Sequence, residues 1–293
     1  MLKSFPERIK KTLSIWKKIG KQFSSPSYIF FSILVVSAGR FFHILRHCTF
    51  IRKLKLKIKY RNGIVLYFPS IDLHRFFDLF SILPSDSYMY NFERIFKTKI
   101  DFFKNDWLID MGAHIGGFSL PIYVKNPEIR VLAFEPDPVN FSCLEHSLGE
   151  NKINRRRFKI NNKAVFSHTG RIKFSVGPET TQGSVTKVGF FLKDNNCNHL
   201  WVRSISVKEI FSKYKIKRCK LLKIDCEGSE YAIIENTPDN LLNRIENLII
   251  EAHFTTKREP KHLKKYLMDR GFIVKLIDTG EGCVELFCTR DKC

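Results

Sequence analysis

WLIDMGAHIGGFSL, residues 107–120, decides the fold. Trp107 to Asp110 is a short apolar run closed by an acid, and a glycine-bearing turn follows before Phe118, Ser119 and Leu120 resume a helical pattern. That order is strand, glycine turn, helix. Gly112 and Gly116 give backbone freedom where the chain has to pass close to a ligand. The amides that open the following helix have no partner within it and are donors for that ligand. Asp110, at the carboxyl end of the strand, is placed to face a cationic group.

About twenty residues further on, RVLAF (130–134) is a second apolar strand closed by Glu135, Pro136 and Asp137, and an acid in that place suits a ribose diol. A nicotinamide or flavin fingerprint, G-x-G-x-x-G, would need glycine where His114 stands. Asp110 would also repel a pyrophosphate, whereas S-adenosylmethionine carries a sulfonium and an amino group and no phosphate. The charges therefore favour S-adenosylmethionine as the cofactor.

Outward from this pair, FKIN (158–161) with Ala164 and Val165, KLLKID (220–225) and NLIIE (247–251) are further strands with helical stretches between them. Such alternation predicts a mostly parallel sheet with ligands at its carboxyl edge. Gly271 to Ile277 and Cys283 to Thr289, around turn residues 278–282, predict a closing hairpin. Phe174 to Trp201 predicts a strand and a loop over the cofactor mouth. On the amino-terminal side, Leu54, Leu56, Ile58 and Tyr60 alternate with lysines, and Asn62-Gly63 predicts a two-residue hairpin turn into 64–68. Residues 71–99 read as helical, broken at Pro84.

Composition bounds the rest. With 44% hydrophobic and 27% charged residues, the chain is too polar for a multi-span membrane protein. The net charge is +21, and 15 basic residues against one acid, Glu7, fall within 1–61, so most of the excess is concentrated there. Ile9, Leu13, Trp16 and Ile19 recur at helical steps with lysines between them. That pattern fits a basic amphipathic helix, either in peripheral contact with an anionic membrane or packed on its own domain. YIFFSILVV (28–36) is short for a membrane span and Arg40 interrupts its continuation. Eight scattered cysteines without C-x-x-C predict reduced thiols and a cytoplasmic protein, with the N-terminal segment as any membrane contact. The expected division is a basic, partly apolar helical extension (1–50), a hairpin and helices preceding the core (51–100), and a catalytic domain (101–293).

WLIDMGAHIGGFSL, AFEPDPVN, LLKIDCEGSEYAII and LIIEAHF, in this order and spacing, resemble the FkbM-type methyltransferases from about Phe92 to the C-terminus. His114 stands where that family commonly has asparagine, and Cys226 where it has an aliphatic residue. The resemblance implies a Rossmann-like class I α/β fold: a mostly parallel seven-stranded sheet with an antiparallel C-terminal strand. It also implies methyl transfer from S-adenosylmethionine, generally to oxygen. Carried onto this chain, it puts Asp110, Gly112, Ala113, His114 and Gly116 at the methionine part of the cofactor. Glu135, followed by Pro136, falls at the ribose, Asn162 at the adenine edge, and Asp225 beside the methyl group.

Asp225 or Glu227 is a candidate to take the proton of an acceptor hydroxyl, and His253 is another. The alternatives stand beside them. Acids in a first helical turn complement the helix dipole, a histidine can be structural, and alignment with desolvation can supply the rate without a strong base. Asp225, Glu227, Glu251 and His253 could also converge on magnesium or another cation, but their spacing names no metal geometry, so no metal is expected. The expected acceptor is a hydroxyl on a glycan, a lipid-linked saccharide or another small-molecule metabolite. One alternative is a nucleic-acid methyltransferase using the basic N-terminus, although DCEGSE (225–230) is not the N-P-P-Y type of loop that stacks a flipped base. The other is a membrane-associated, non-catalytic binding module, against which the intact set of glycines and acids argues.

Overall fold

The computed structural model describes residues 55–60, 62–69, 84–176, 198–255, 258–278 and 283–290. The basic helix expected over 3–20, the apolar stretch 28–36, the helical reading of 71–83 and, within the strand and loop expected over Phe174 to Trp201, residues 177–197 lie outside the described residues.

Short apolar runs form the strands of one seven-stranded sheet: β3 (Trp107–Met111), β4 (Arg130–Phe134), β5 (Phe158–Asn161), β9 (Cys219–Ile224), β10 (Ile245–His253), β11 (Ile273–Asp278) and β12 (Cys283–Thr289). Their order is β11-β12-β10-β9-β3-β4-β5. β12 runs antiparallel to both neighbours, and every other pairing is parallel. This is the class I arrangement that the resemblance implies, with the antiparallel strand inserted between β10 and β11.

Side chains on successive strand residues point to opposite faces, and the core divides accordingly. Leu108, Val131, Ala133, Leu221, Ile249 and Phe287 join one buried cluster. Ile109, Leu132, Phe134, Leu222, Ile250 and Leu286 join the other. On that periodicity Asp110 and Lys223 fall on the first face, at the carboxyl ends of adjacent strands. Helices α1 (Pro84–Phe96), α2 (Ser119–Lys125) and α3 (Pro138–Glu150) contribute Phe92, Leu120 and Leu144 to that same cluster. Helices α4 (Val207–Lys213), α5 (Glu230–Glu235), α6 (Asp239–Leu242) and α7 (Pro260–Met268) supply Ile210, Ile233, Leu242 and Leu263 to the second. No helix among the described residues is long and apolar enough to cross a membrane.

The N-terminal hairpin forms from β1 (Lys55–Lys59) and β2 (Val65–Pro69), but with a longer turn than the sequence predicts. Tyr60 and Ile64 close it: Tyr60 N donates to Ile64 O at 2.8 Å, and Gly63 takes the left-handed φ of 84°. A three-residue loop ending in a left-handed glycine fits the twist of the strands. β2 docks on α3, where Val65 N donates to Asn151 Oδ1 (3.0 Å) and Tyr67 N to Ser147 Oγ (2.9 Å). Leu66 and Phe68 enter the first core cluster. α1 begins at Pro84, whose missing N–H costs nothing at a helix start.

A second sheet was not anticipated. β6 (Ala164–Val165), β7 (Gly170–Val176) and β8 (Asn198–Ile205) form three strands in the order β6-β8-β7. The strand expected from Phe174 starts at Gly170, and its partner is β8.

Gly112 has φ 78°, and a Cβ there would overlap the Asp225 carbonyl oxygen. Gly112→Ala is therefore expected to cost on the order of 3 kcal/mol, from backbone strain and forced displacement. Gly149, in α3, has open space where a Cβ would stand, with nothing beyond its chain neighbours and its own helix backbone within 4 Å of that point. Gly149→Ala should gain about 0.5–1 kcal/mol. Thermal unfolding followed by circular dichroism checks both; equal melting points for the two variants would contradict this account.

Candidate active site

The carboxyl ends of β3 and β9 are joined by a buried lysine. Strand register sets Lys223 beside Asp110. Its Nζ donates to the Gly112 carbonyl oxygen and to Asp225 Oδ2, each at 3.0 Å, and lies 3.7 Å from Asp110 Oδ1. Burial disfavours the ammonium, but Asp225 and Asp110 outweigh it and raise its pKa. Asp110 is wholly buried and neither of its oxygens has a hydrogen-bond partner. Burial pushes its carboxyl up, against the pull of Lys223. Burial acts on Asp225 in the same sense, yet Lys223 and His253 prevail and lower it, so Asp225 is the firmly ionised acid here. Sequence reasoning missed Lys223. The available signal was a lysine inside KLLKI, a strand buried throughout, because a buried ammonium demands a partner.

Across the glycine turn, Glu135 ends β4. Its Oε2 accepts from His114 N at 2.7 Å and its Oε1 from Asp137 N at 2.9 Å. Burial raises its pKa to about 8. Each oxygen keeps capacity for a further donor. Asp137 caps α3 by accepting from Val139 N and Asn140 N. Asn162 Nδ2 donates to the Glu135 and Pro136 carbonyls at 2.8 and 3.1 Å, so this side chain fixes the loop. Ala113 and Gly112 amides donate to Phe134 O, tying the turn to β4. On their Cβ sides, Gly112 meets Asp225 and Gly116 meets Leu144, so the close approach each glycine permits is to the protein itself.

A second group lies past β9 and β10. His253, at the end of β10, has Nδ1 3.2 Å from Glu230 Oε1 and Nε2 3.4 Å from Glu227 Oε2 and 3.6 Å from Glu251 Oε1. Burial opposes its charge, but Glu230, Glu227 and Asp225 raise it to about 10, so it is an imidazolium at neutral pH. Glu230 Oε1 also accepts from Cys226 N (2.9 Å) and Gly228 N (3.1 Å), which shapes the loop carrying Glu227 at φ 49°. Burial lifts Glu227 to about 8, with His253 pulling the other way. Glu251 is raised by Asp225 and by burial, and its Oε2 accepts from Tyr88 Oη at 2.6 Å. Glu285 stands directly opposite Glu251 on β12; burial and then Glu251 raise it to about 7. Tyr88, Glu230, Glu251 and Glu285 belong to this cluster without having been assigned a site role from the sequence.

Two sets of ligand atoms gather closely enough to share a cation: Asp225, Glu227 and His253, and Glu251, His253 and Cys283. His253 belongs to both and would have to release its proton to ligate one. The geometry gathers Asp110 and Asp225 around Lys223 and Glu227 against His253, while Glu135 is bonded to the glycine turn through His114 N and also feels the Lys223 charge.

A Rossmann-like sheet with acids at the carboxyl ends of its first two strands defines a nucleotide-type enzyme site of the class I methyltransferase kind. The model of the methyltransferase FkbM domain matches residues 110–274, and the chain belongs to this family of methyltransferases. Methyltransferase sdnD of Sordaria araneosa is 24% identical over 193 residues, covering 57% of this chain and 74% of that protein. The 31-O-demethyl-FK506 methyltransferase FkbM of Streptomyces tacrolimicus is 24% identical over 173 residues, covering 50% and 65%. Hexuronic acid methyltransferase AglP of Haloferax volcanii is 23% identical over 168 residues, covering 57% and 63%. Among solved structures, a methyltransferase FkbM from Methylobacillus flagellatus superposes with a TM-score of 0.48 at 16% identity, over 74% of this chain and 53% of that one.

The raised groups fix the sign of a pH dependence. His253, held near 10 against an ordinary 6.5, contributes stability that is full below pH 6.5 and is lost as pH rises through 10. Glu227 and Glu135, pushed to about 8, bind protons more tightly folded than unfolded, so stability also falls above pH 4.5 on their account. The melting temperature should decline between about pH 7 and pH 10, and His253→Gln should flatten that decline. A variant that declines as steeply as the parent removes His253 from this role.

Proposed function

We propose that the chain takes its methyl group from S-adenosylmethionine and transfers it to a hydroxyl oxygen of a glycan, lipid-linked saccharide or secondary metabolite. The observation that carries the cofactor reading is Asp110, a fully buried acid beside a glycine turn, with no partner at hydrogen-bond distance and the Lys223 ammonium 3.7 Å away. A cationic, phosphate-free ligand fits that charge; a pyrophosphate does not. In this reading Asp110, Gly112, Ala113, His114 and Gly116 hold the methionine part. Glu135 and Pro136 hold the ribose, through capacity that Glu135 keeps beyond its two backbone amides. Asn162, whose Nδ2 is committed to loop carbonyls, has Oδ1 to accept from the adenine amino group. Bound there, the cofactor supplies a methyl group already activated on a sulfonium.

Among the proposed bases the electrostatics favour Glu227. A general base works best when its pKa lies near the working pH. Glu227, raised to about 8, becomes available as its carboxylate as pH approaches and passes 8, below the range in which His253 loses its proton. His253 is already protonated at neutral pH and Asp225 is a weak base held by Lys223. Glu227 would accept the proton that the acceptor hydroxyl releases, and His253 would orient it from 3.4 Å. The acceptor class rests on the relatives named as a 31-O-demethyl-FK506 methyltransferase and a hexuronic acid methyltransferase.

Calorimetry near neutral pH should detect S-adenosylhomocysteine binding to the intact chain, weakened roughly three- to tenfold by Glu135→Ala, since a hydrogen bond from a neutral carboxyl is worth about 0.5–1.5 kcal/mol. Glu227→Gln should leave that affinity unchanged and lower kcat by about a hundredfold or more. Methyl-labelled cofactor incubated with separate lipid, glycan and RNA fractions reads the acceptor, and label confined to RNA would overturn the proposal.

Peripheral membrane contact through residues 1–20 is part of the same proposal and rests on their sequence pattern alone. Deleting them should reduce sedimentation with anionic vesicles; unchanged sedimentation would exclude this segment.

A further inference from the structure

The opposite edge of the sheet carries charge that methyl transfer does not use. Where β3, β4 and β5 begin, beside the end of α4, lies a hollow of about 450 Å3. Arg130, Arg156, Arg157, Lys159, Lys213 and Lys215 line it. None of the six has a carboxylate partner among the described residues, and Glu128 and Glu145 pair instead with Lys104 and Arg155. The contacts the six make are to neutral groups. Asn105 Oδ1 accepts from Arg130 Nη2 at 3.2 Å and from Arg157 Nη1 at 3.3 Å, and Arg157 also reaches the Glu128 carbonyl.

Two rings hold the cations in place. The Arg130 guanidinium lies 5.4 Å from the Trp107 centroid, and Lys159 and Lys213 lie 5.6 and 5.4 Å from that of Tyr214. Asn105 and Lys215, both in the lining, take left-handed φ values of 69° and 52°, a conformation that costs energy in residues other than glycine. Like charges lining one hollow repel each other, and an anion between them relieves that repulsion.

We propose that this hollow binds a group of two or more linked phosphates, as in a nucleoside diphosphate or a lipid diphosphate. Guanidinium forks engage phosphate oxygens in pairs, and lysines add point charge, so two arginines and neighbouring lysines match a diphosphate better than an isolated small anion. The volume falls in the range of discrete ligand sites, about 300–1,000 Å3. A nucleic-acid strand would use a continuous track with rings open for stacked bases; here the rings carry the protein's own cations. The site is separate from the methyl-transfer edge, and its proposal stands independently of the acceptor reading.

The test uses the full chain and calorimetry with inorganic pyrophosphate and orthophosphate at low and raised salt. Pyrophosphate should bind at least about tenfold more tightly than orthophosphate and weaken as salt rises. Arg156→Ala combined with Lys159→Ala should weaken pyrophosphate at least about tenfold. Melting temperature and S-adenosylhomocysteine binding should be unchanged in that variant. Competition by ADP identifies a soluble source, and competition by vesicles bearing a prenyl diphosphate identifies a lipid one; either supports the site. Pyrophosphate binding that matches orthophosphate, or that survives the double substitution, overturns it, as does single-stranded RNA that binds and is not displaced by pyrophosphate.

Discussion

A single buried ammonium makes the carboxyl edge of this sheet possible. Asp110 is fully buried and Asp225 half-buried on neighbouring segments, and burial drives both carboxyls toward the neutral form. Lys223 stands between them, 3.0 Å from one and 3.7 Å from the other, and donates a further bond to the Gly112 carbonyl. The ammonium holds Asp225 ionised, while burial pushes Asp110 toward its neutral form. In the proposed function, a cationic ligand beside Asp110 would favour its ionised form, and a phosphate would not.

The same balance of charge separates the two ends of the strands. Acids dominate where β3, β4, β9 and β10 finish, while arginines and lysines without carboxylate partners among the described residues gather where β3, β4 and β5 start. The acidic edge is largely buried and weakly screened, whereas most of the cations at the other edge are exposed, so any attraction of an anion there falls as salt rises. The surplus of positive charge in residues 1–61 therefore describes only part of the electrostatics.

The sequence made legible whatever is carried by local pattern. Apolar runs closed by acids marked β3, β4, β9 and β10, and the residues flanking 278–282 marked β11 and β12. What depends on register between distant strands was hidden: nothing in KLLKID says that Lys223 lies beside Asp110. The second sheet escaped because β6 is only 2 residues long and pairs with β8 across a large separation. The basic hollow escaped for a related reason, since its cations come from separate segments and none forms a conspicuous run except Arg155 to Arg157. At the site, the positions of Asp110, Glu135 and Asp225 were anticipated, but not that backbone amides already occupy Glu135 or that His253 is held as an imidazolium.

The glycine turn and the loop after β9 are one mechanical unit. Gly112 packs against the Asp225 carbonyl, Asp225 N donates to Met111 O at 3.0 Å, and Lys223 reaches back to Gly112 O. Glu230 then ties Cys226 and Gly228 to His253, which holds Glu227. A shift of the turn that would hold the methyl donor therefore shifts the proposed proton acceptor with it. Displacement at a methyl carbon needs the incoming oxygen and departing sulfur in line, and correct alignment of reacting groups can supply several kcal/mol of the barrier. Interlocking the two loops would preserve that line, so in the proposed reaction the spacing of two backbone segments bears on the rate alongside the base at Glu227.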